Sequence, residues 1–359
     1  MNAYQSLMTK TREQNLLYSA LIELTYQCNL DCFFCYNDLS MHGKRMQLQD
    51  HRKLLEDLAG MNVLSVSLSG GEPLACPHFF EIGAYAKELG FLITVKTNGH
   101  MVGPRIAKRL RREVDPYIIE TSLHGACSAT HDRQTRVAGS FDRLMKNIPA
   151  MLDEGMKVNI NSALTAWNEN EVEGMFAIAD RLGVKLQIDT DVTPRDDGDM
   201  EPLSISASDE GIREMLKFSM RRAAKAKSKV TIPIKLPATE MSVRGASAPR
   251  AKEKKLKNCA VGSSVVSIDP FGNVYPCVAL RLKVGNLHEN SIVQIWNGSK
   301  ELEAIREMAF KAHEFKLSKG FSGFCPGVAQ TTNGNPVSIY PDIVRKTRII
   351  NEIQQQTGS

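Results

Sequence analysis

Six short runs of apolar or alternating residues recur along the first half of the chain: ALIELT at 20–25, VLSVSLS at 63–69, FLITVK at 91–96, YIIETS at 117–122, VNINSAL at 158–164 and VKLQID at 184–189. Each has strand length and a strand pattern. Segments of helical period lie between them, at 48–59, 78–89, 104–112, 141–154 and 171–182, and a sixth is expected near 208–227. Several end on a glycine (Gly60, Gly90, Gly155, Gly183), the residue that most readily takes up the left-handed turn after a helix. Strand alternating with helix predicts right-handed crossovers and a parallel sheet. Six such units make an α/β fold, a partial (β/α)6 TIM-like barrel, in which functional groups gather at the C-terminal ends of the strands.

The last third changes character. SVVSIDPFGNVYPC reads as a hairpin turning at Pro270–Asn273, followed by a short helix at 292–296 and a longer one at 300–310. The expected division is a short polar N-terminal segment (1–19), the barrel (20–227), a basic linker (228–258), a C-terminal domain (259–345) and a tail (346–359).

At 359 residues the chain is long enough for one large domain and a smaller one without disulfides. No signal-peptide pattern and no run of about eighteen apolar residues is visible, so the expected compartment is the cytoplasm, with no membrane partner. There the eight cysteines are more naturally ligands or buried thiols than disulfides. Asn297-Gly298-Ser299 then has no meaning as a glycosylation acceptor. The net charge is +5, but Arg221–Lys257 holds twelve Lys/Arg against Glu240 and Glu253, which is +10 and leaves −5 for the remainder. This segment can attract an acidic peptide or nucleic acid, or can be a solvated linker, as Pro233, Pro237 and Pro249 suggest. Its near lack of aromatics argues against single-stranded nucleic acid.

The chemistry centres on Cys28, Cys32 and Cys35 in CNLDCFFC, directly after the first strand. Thiolates are the soft ligands that iron–sulfur clusters select, and three of them leave one iron of a four-iron cube open. A structural zinc loop would ordinarily show four Cys/His ligands, and only His42 lies near. Ser69-Gly70-Gly71-Glu72-Pro73 follows the second strand. Paired glycines permit close backbone approach, and Glu72 is placed to organise the turn. Thr97-Asn98-Gly99 and Thr121-Ser122-Leu123-His124-Gly125 end the third and fourth strands, with short polar side chains suited either to ligand hydrogen bonds or to plain turn chemistry.

This combination, Cys-x3-Cys-x2-Cys with an aromatic at Phe34 and the GGEP element, resembles the radical S-adenosylmethionine (SAM) superfamily from about Leu21 to Gly327. The resemblance implies a SAM-binding [4Fe-4S] cluster on Cys28, Cys32 and Cys35. It also implies SAM contacts from Phe34, Gly70, Gly71, Glu72, Pro73, Asn98 and Ser122, and from Asn161 on the fifth strand. His124 departs from the Asp that relatives often carry there. His131-Asp132, with Thr135 and Gly139-Ser140-Phe141-Asp142, resembles a loop of the peptide-modifying branch. Asp132 either orders that loop or acts catalytically, and Ser140 is a candidate helix cap. Asp189 and Asp191 face the same mouth and can position substrate or take a proton. Cys127 is a candidate hydrogen-atom donor or ligand, with a small inert side chain as the plainer reading, as for Cys76.

Cys259, Cys277, Gly285-Asn286-Leu287 and Cys325-Pro326-Gly327 resemble, in order and spacing, a SPASM/twitch-like extension holding auxiliary clusters. A full extension has more thiols; Lys316, Lys319 and Ala329 stand where they would fall. The expectation is therefore a single auxiliary iron–sulfur cluster on Cys259, Cys277 and Cys325, with its fourth site open, filled by a side chain such as His313, or filled by substrate.

The resemblance implies reductive SAM cleavage to a 5′-deoxyadenosyl radical. It further implies hydrogen abstraction from a ribosomally made precursor peptide, leading to a crosslink, epimerisation, decarboxylation or excision. The expected partners are that peptide, a separate small peptide-recognition protein, since a winged-helix recognition domain does not fit into residues 1–19, and an electron donor such as flavodoxin or ferredoxin. The alternatives are a small-molecule dehydrogenase or haem-pathway enzyme, a glycyl-radical activating enzyme, and a non-enzymatic metal-containing nucleic-acid-binding protein.

Overall fold

The computed structural model describes residues 3–38, 40–225 and 256–357. The basic linker expected at 228–258 therefore lies, up to residue 255, outside the described residues.

Six parallel strands form where the alternation places them: β1 (Ser19–Glu23), β2 (Ser65–Ser69), β3 (Leu92–Lys96), β4 (Ile118–Ser122), β5 (Val158–Ala163) and β6 (Lys185–Asp189). Between them run α2 (Leu48–Gly60), α3 (Phe79–Glu88), α4 (Pro104–Arg109, continued by a π turn over Leu110–Val114), α5 (Ser128–Thr135), α6 (Ser140–Asp153) and α7 (Val172–Leu182), and α8 (Asp209–Lys225) follows β6. The inward faces of strands and helices supply one core. Ile22, Leu68, Ile93, Leu58, Ile119 and Ile148 are fully or almost fully enclosed, each contributing about 1.5–3 kcal/mol of burial.

The sheet does not stop at the barrel. β7 (Val265–Ile268) pairs in parallel with the free side of β1, Ser19 opposite Val265. β8 (Asn273–Tyr275) and β9 (Gly285–Asn286) follow antiparallel, giving the order β6-β5-β4-β3-β2-β1-β7-β8-β9. The expected hairpin thus forms as an extension of the barrel sheet. Beyond it come α9 (Ile292–Gly298), α10 (Lys300–Ser318), α11 (Pro326–Asn333) and α12 (Pro341–Thr357).

Three segments differ from expectation. The N-terminal segment holds α1 (Ala3–Gln14), which leads to Asn15, whose carbonyl accepts from the Trp296 indole at 2.9 Å. The supposed loop at His131-Asp132 is α5, whose polar sequence SATHDRQT carries no apolar stripe to announce it. Of the tail expected at 346–359, residues 346–357 belong to α12, with Ile349 and Ile353 in the main core.

Candidate functional site: two thiol groups at a barrel mouth

The loop after β1 carries Cys28, Cys32 and Cys35, and the GGEP turn is pressed against its first residues. The Gly71 amide donates to the Thr25 carbonyl at 2.8 Å and the Glu72 amide to the Gln27 carbonyl at 2.9 Å. Gly70 has φ +133°, and a Cβ there would lie 2.2 Å from the Thr25 oxygen; one on Gly71 would lie 2.6 Å from the Gln27 oxygen. The missing side chains of both glycines thus make room for the chain's own backbone at this turn.

Glu72 is fully buried and accepts from the Leu74 amide (3.0 Å), the Thr97 hydroxyl (2.8 Å) and the Asn98 amide (2.9 Å). Burial nevertheless pushes its carboxyl up to about 7. With its oxygens taken, Glu72 acts as a tie between the β2 and β3 ends. Pro73 is likewise buried, as the first residue of a 3-10 turn. Asn98 turns to the cysteine loop, where its Nδ2 donates to Asn29 Oδ1 at 2.7 Å and approaches Cys28 Sγ at 3.7 Å.

The loop is held from the far side as well. The Asp31 and Phe33 amides donate to the Thr135 and Gln134 carbonyls that end α5, at 3.1 and 2.9 Å, and Arg195 donates to the Phe33 carbonyl at 3.1 Å. Phe33 packs edge-on against Trp167, with ring centroids 5.0 Å apart.

Burial raises all three thiols, Cys32 most, with Cys28 and Cys35 adding electrostatically. Thiolates crowded in this way need a compensating cation, which is what the irons of a cluster supply, so the donor set fits an iron–sulfur cluster. Among the described residues no three His, Cys, Asp or Glu side chains are already gathered around a single metal-ion position.

A cavity of about 240 Å³ opens at the C-terminal ends of β4 to β6. Phe34 and Tyr36 enter it from the cysteine loop, Ser122 and His124 from β4, Asn161 from β5, and Asp189 and Asp191 from β6. Phe34 packs edge-on to His124 at 4.6 Å, and His124 stacks on His131 at 5.9 Å. Burial keeps both imidazoles neutral, lowering His124 to about 3 and His131 to about 4. Phe34, Ser122 and Asn161 therefore converge on one space, as does Asp189. Burial raises the Asp189 carboxyl, opposed by Lys346, which itself is lowered by burial to about 8 and is ion-paired with Asp191. Lys346 comes from α12, a segment read from the sequence as a tail, and no motif signalled it.

Two residues read as catalytic lie elsewhere. The Asp132 carboxylate accepts from the Gly139 amide (2.7 Å), the Ser140 hydroxyl (2.7 Å) and the Phe141 amide (2.8 Å), so it caps α6 from α5. That cap comes from Asp132 and not from Ser140, which is the first residue of α6, after an N-cap at Gly139. Cys127 is exposed ahead of α5, its thiol 3.8 Å from Glu171, and does not line the cavity.

A second thiol group forms in the C-terminal region. Burial raises Cys277 to about 12, and Cys325 and Cys259 both lie within electrostatic reach of it. Gly327 lets α11 close on this loop, since a Cβ there would lie 2.1 Å from the Ala279 carbonyl oxygen. Asp189 is within electrostatic reach of Cys325, so the second group borders the barrel mouth. Where a fuller extension would place further thiols, α10 continues to Ser318. Phe315, Phe321, Phe324 and Tyr340 form a separate small core, with Phe315 and Phe324 5.4 Å apart.

With this geometry, residues 22–179 match the Radical SAM superfamily and residues 259–319 match SPASM, an iron–sulfur cluster-binding domain. The chain belongs to the radical SAM superfamily, whose chemistry uses iron–sulfur clusters and SAM. Among curated proteins it is 30% identical to the mycofactocin maturase MftC of Mycobacterium ulcerans, over 79% of this chain and 76% of that one. It is 26% identical to an AdoMet-dependent heme synthase of Methanosarcina barkeri, over 79% and 83%. In fold it is similar to Streptococcus suis SuiB bound to the precursor peptide SuiA, with TM-score 0.64 and 16% identity over 85% of this chain and 72% of that one. Among the described residues no helix is long and apolar enough to cross a membrane.

Proposed function

We propose that this radical SAM enzyme acts on a peptide. The observation that carries this reading is the mouth, where the hydroxyl, amide and carboxylate groups of Ser122, Asn161, Thr193, Asp189 and Asp191 stand among the Phe34, Ala163 and Val192 side chains. It suits an extended backbone with its many polar atoms better than a flat apolar ring system, which would need an apolar slot. The maturase resemblance and the peptide-bound structural relative support it. The heme synthase resemblance makes a tetrapyrrole the competing substrate.

In this reading Cys28, Cys32 and Cys35 hold a [4Fe-4S] cluster, and Cys259, Cys277 and Cys325 hold a single auxiliary cluster. Together the first cluster and SAM would supply the radical chemistry that removes a substrate hydrogen atom. The chain's own residues do the rest. Glu72 and the two glycines fix the loop, and Ser122 and Asn161 offer hydrogen bonds to the ribose and carboxylate. Phe34 and His124 wall the cavity against water, and Asp189, Asp191 and Lys346 meet the substrate. A separate recognition protein would deliver the peptide, and a flavodoxin or ferredoxin would deliver the electron, in the cytoplasm.

The test is anaerobic reconstitution of the parent and of a Cys28→Ala/Cys32→Ala/Cys35→Ala variant. It is followed by incubation of the parent with SAM, reductant, and either the short peptides encoded beside the gene or a tetrapyrrole precursor. Loss of about four of about eight irons and a mass change confined to a peptide are expected. A mass change in the tetrapyrrole alone would transfer the assignment to the haem pathway.

A further inference from the structure

Three charged side chains from distant parts of the chain meet between the two thiol groups. Glu23, the last residue of β1, is fully buried. Asp196 lies on the segment after β6. Arg281 lies between β8 and β9, four residues past Cys277. The Arg281 guanidinium takes both Glu23 oxygens, at 2.7 and 3.0 Å, and its Nε donates to Asp196 at 2.8 Å.

The same cluster touches both ends of the cysteine loop. Tyr26, two residues before Cys28, donates to Glu23 at 3.2 Å, and Tyr36, which follows Cys35, donates at 3.5 Å. The Asp196 amide donates to the Tyr36 carbonyl at 2.8 Å. Arg281 also lies 5.8 Å from the Tyr36 ring centroid and 5.1 Å from that of Tyr275, two residues before Cys277. Planar, bidentate donation from a delocalised cation is needed here, and a lysine would meet only one of these partners at a time. Without the cation, the buried Glu23 carboxylate and the half-buried Asp196 carboxylate would face each other at the foot of the loop.

We propose that Arg281 is a positioning residue. It ties the loop bearing Cys28, Cys32 and Cys35 to the strand and turn bearing Cys277, so that the C-terminal thiol site sets the geometry in which the first site meets SAM. This rests on the reading that both thiol groups hold clusters. Arg281 does not line the cavity and exchanges nothing with a substrate. It acts through Glu23, Tyr26 and Tyr36.

The test uses the full chain, reconstituted anaerobically and reduced, with SAM itself as the probe. In the parent, SAM is expected to change the electron paramagnetic resonance signal of the first cluster. The Arg281→Met variant is expected to keep the parent's iron content but to need about tenfold more SAM for half of that change, the usual scale for losing a partner that orients a ligand. Cys277→Ser is expected to shift the response in the same direction. A purely structural role would lower the melting temperature and leave the SAM concentration dependence unmoved. If Arg281→Met does not fold, Arg281→Lys, which keeps charge and bulk without the fork, is read in the same way. A variant that answers SAM at the parent's concentration overturns the proposal, and a Cys277→Ser protein that does so overturns the coupling. A parent that holds iron yet never answers SAM refutes the assignment of the site itself, whatever the variants do.

Discussion

Glu72 offers the sharpest test of how the site is held together. Its carboxyl is enclosed and sits near 7 in the folded chain against 4.5 when free. A carboxyl raised in this way binds its proton more tightly folded than unfolded. Its contribution to stability is therefore complete at acid pH and is lost as pH climbs from about 4.5 through 7. A rise from 4.5 to about 7 corresponds to about 3 kcal/mol, and full enclosure leaves no solvent screening to reduce it. Glu72→Gln removes the titration. It also turns an amide group toward the Leu74 or Asn98 N–H, which costs about 1–3 kcal/mol for the donor left without an acceptor. Urea unfolding of parent and variant at pH 4.5, 6, 7 and 8 isolates the effect, because the histidines titrate alike in both. The parent should be the more stable at pH 4.5, and its advantage should shrink by about 3 kcal/mol by pH 8. A parent-minus-variant difference that is flat across this range, or that grows with pH, refutes the reasoning.

Other outcomes follow from the same contacts. Gly70→Ala forces a side chain into a left-handed conformation and onto the Thr25 carbonyl, so it should lose more than about 3 kcal/mol or fail to accumulate as folded protein, as circular dichroism would show. Asp132→Asn should cost about 1 kcal/mol by removing a helix cap while leaving iron content and SAM cleavage at parental levels; loss of cleavage in a folded variant would restore a catalytic role. Lys346→Met leaves Asp189 and Asp191 uncompensated at the mouth. It should raise the peptide KM about tenfold with substrate-free SAM cleavage unchanged, and parental KM values would remove α12 from the site.

What the sequence revealed was whatever repeats or carries special chemistry. Strand and helix periods located all six barrel units, because each buries one face, and the cysteine spacing and paired glycines marked the loops. Phe34, Ser122, Asn161 and Asp189 meet at the mouth as strand ends in such a barrel should. The misses have one physical origin: they are partnerships between segments far apart in the chain. Asp132 reads equally as a loop-ordering or a catalytic residue until Gly139 and Phe141 are seen to donate to it. Arg281 is an ordinary surface residue type until Glu23 lies opposite. Lys346 acquires meaning only once α12 packs across the barrel, and the polar helix α5 has no stripe from which to read it.

The pairing of β7 with β1 has a consequence for how this chain can be divided. Among the described residues β1 is an interior strand, sixth in the order of nine, with hydrogen-bonded neighbours on both flanks. Excising the region from 259 onward would expose its row of amides and carbonyls as an unprotected edge, ready to recruit another molecule's strand. The two thiol-bearing regions are therefore expected to melt in a single transition, and residues up to 258 produced alone are expected to need new protection for that edge.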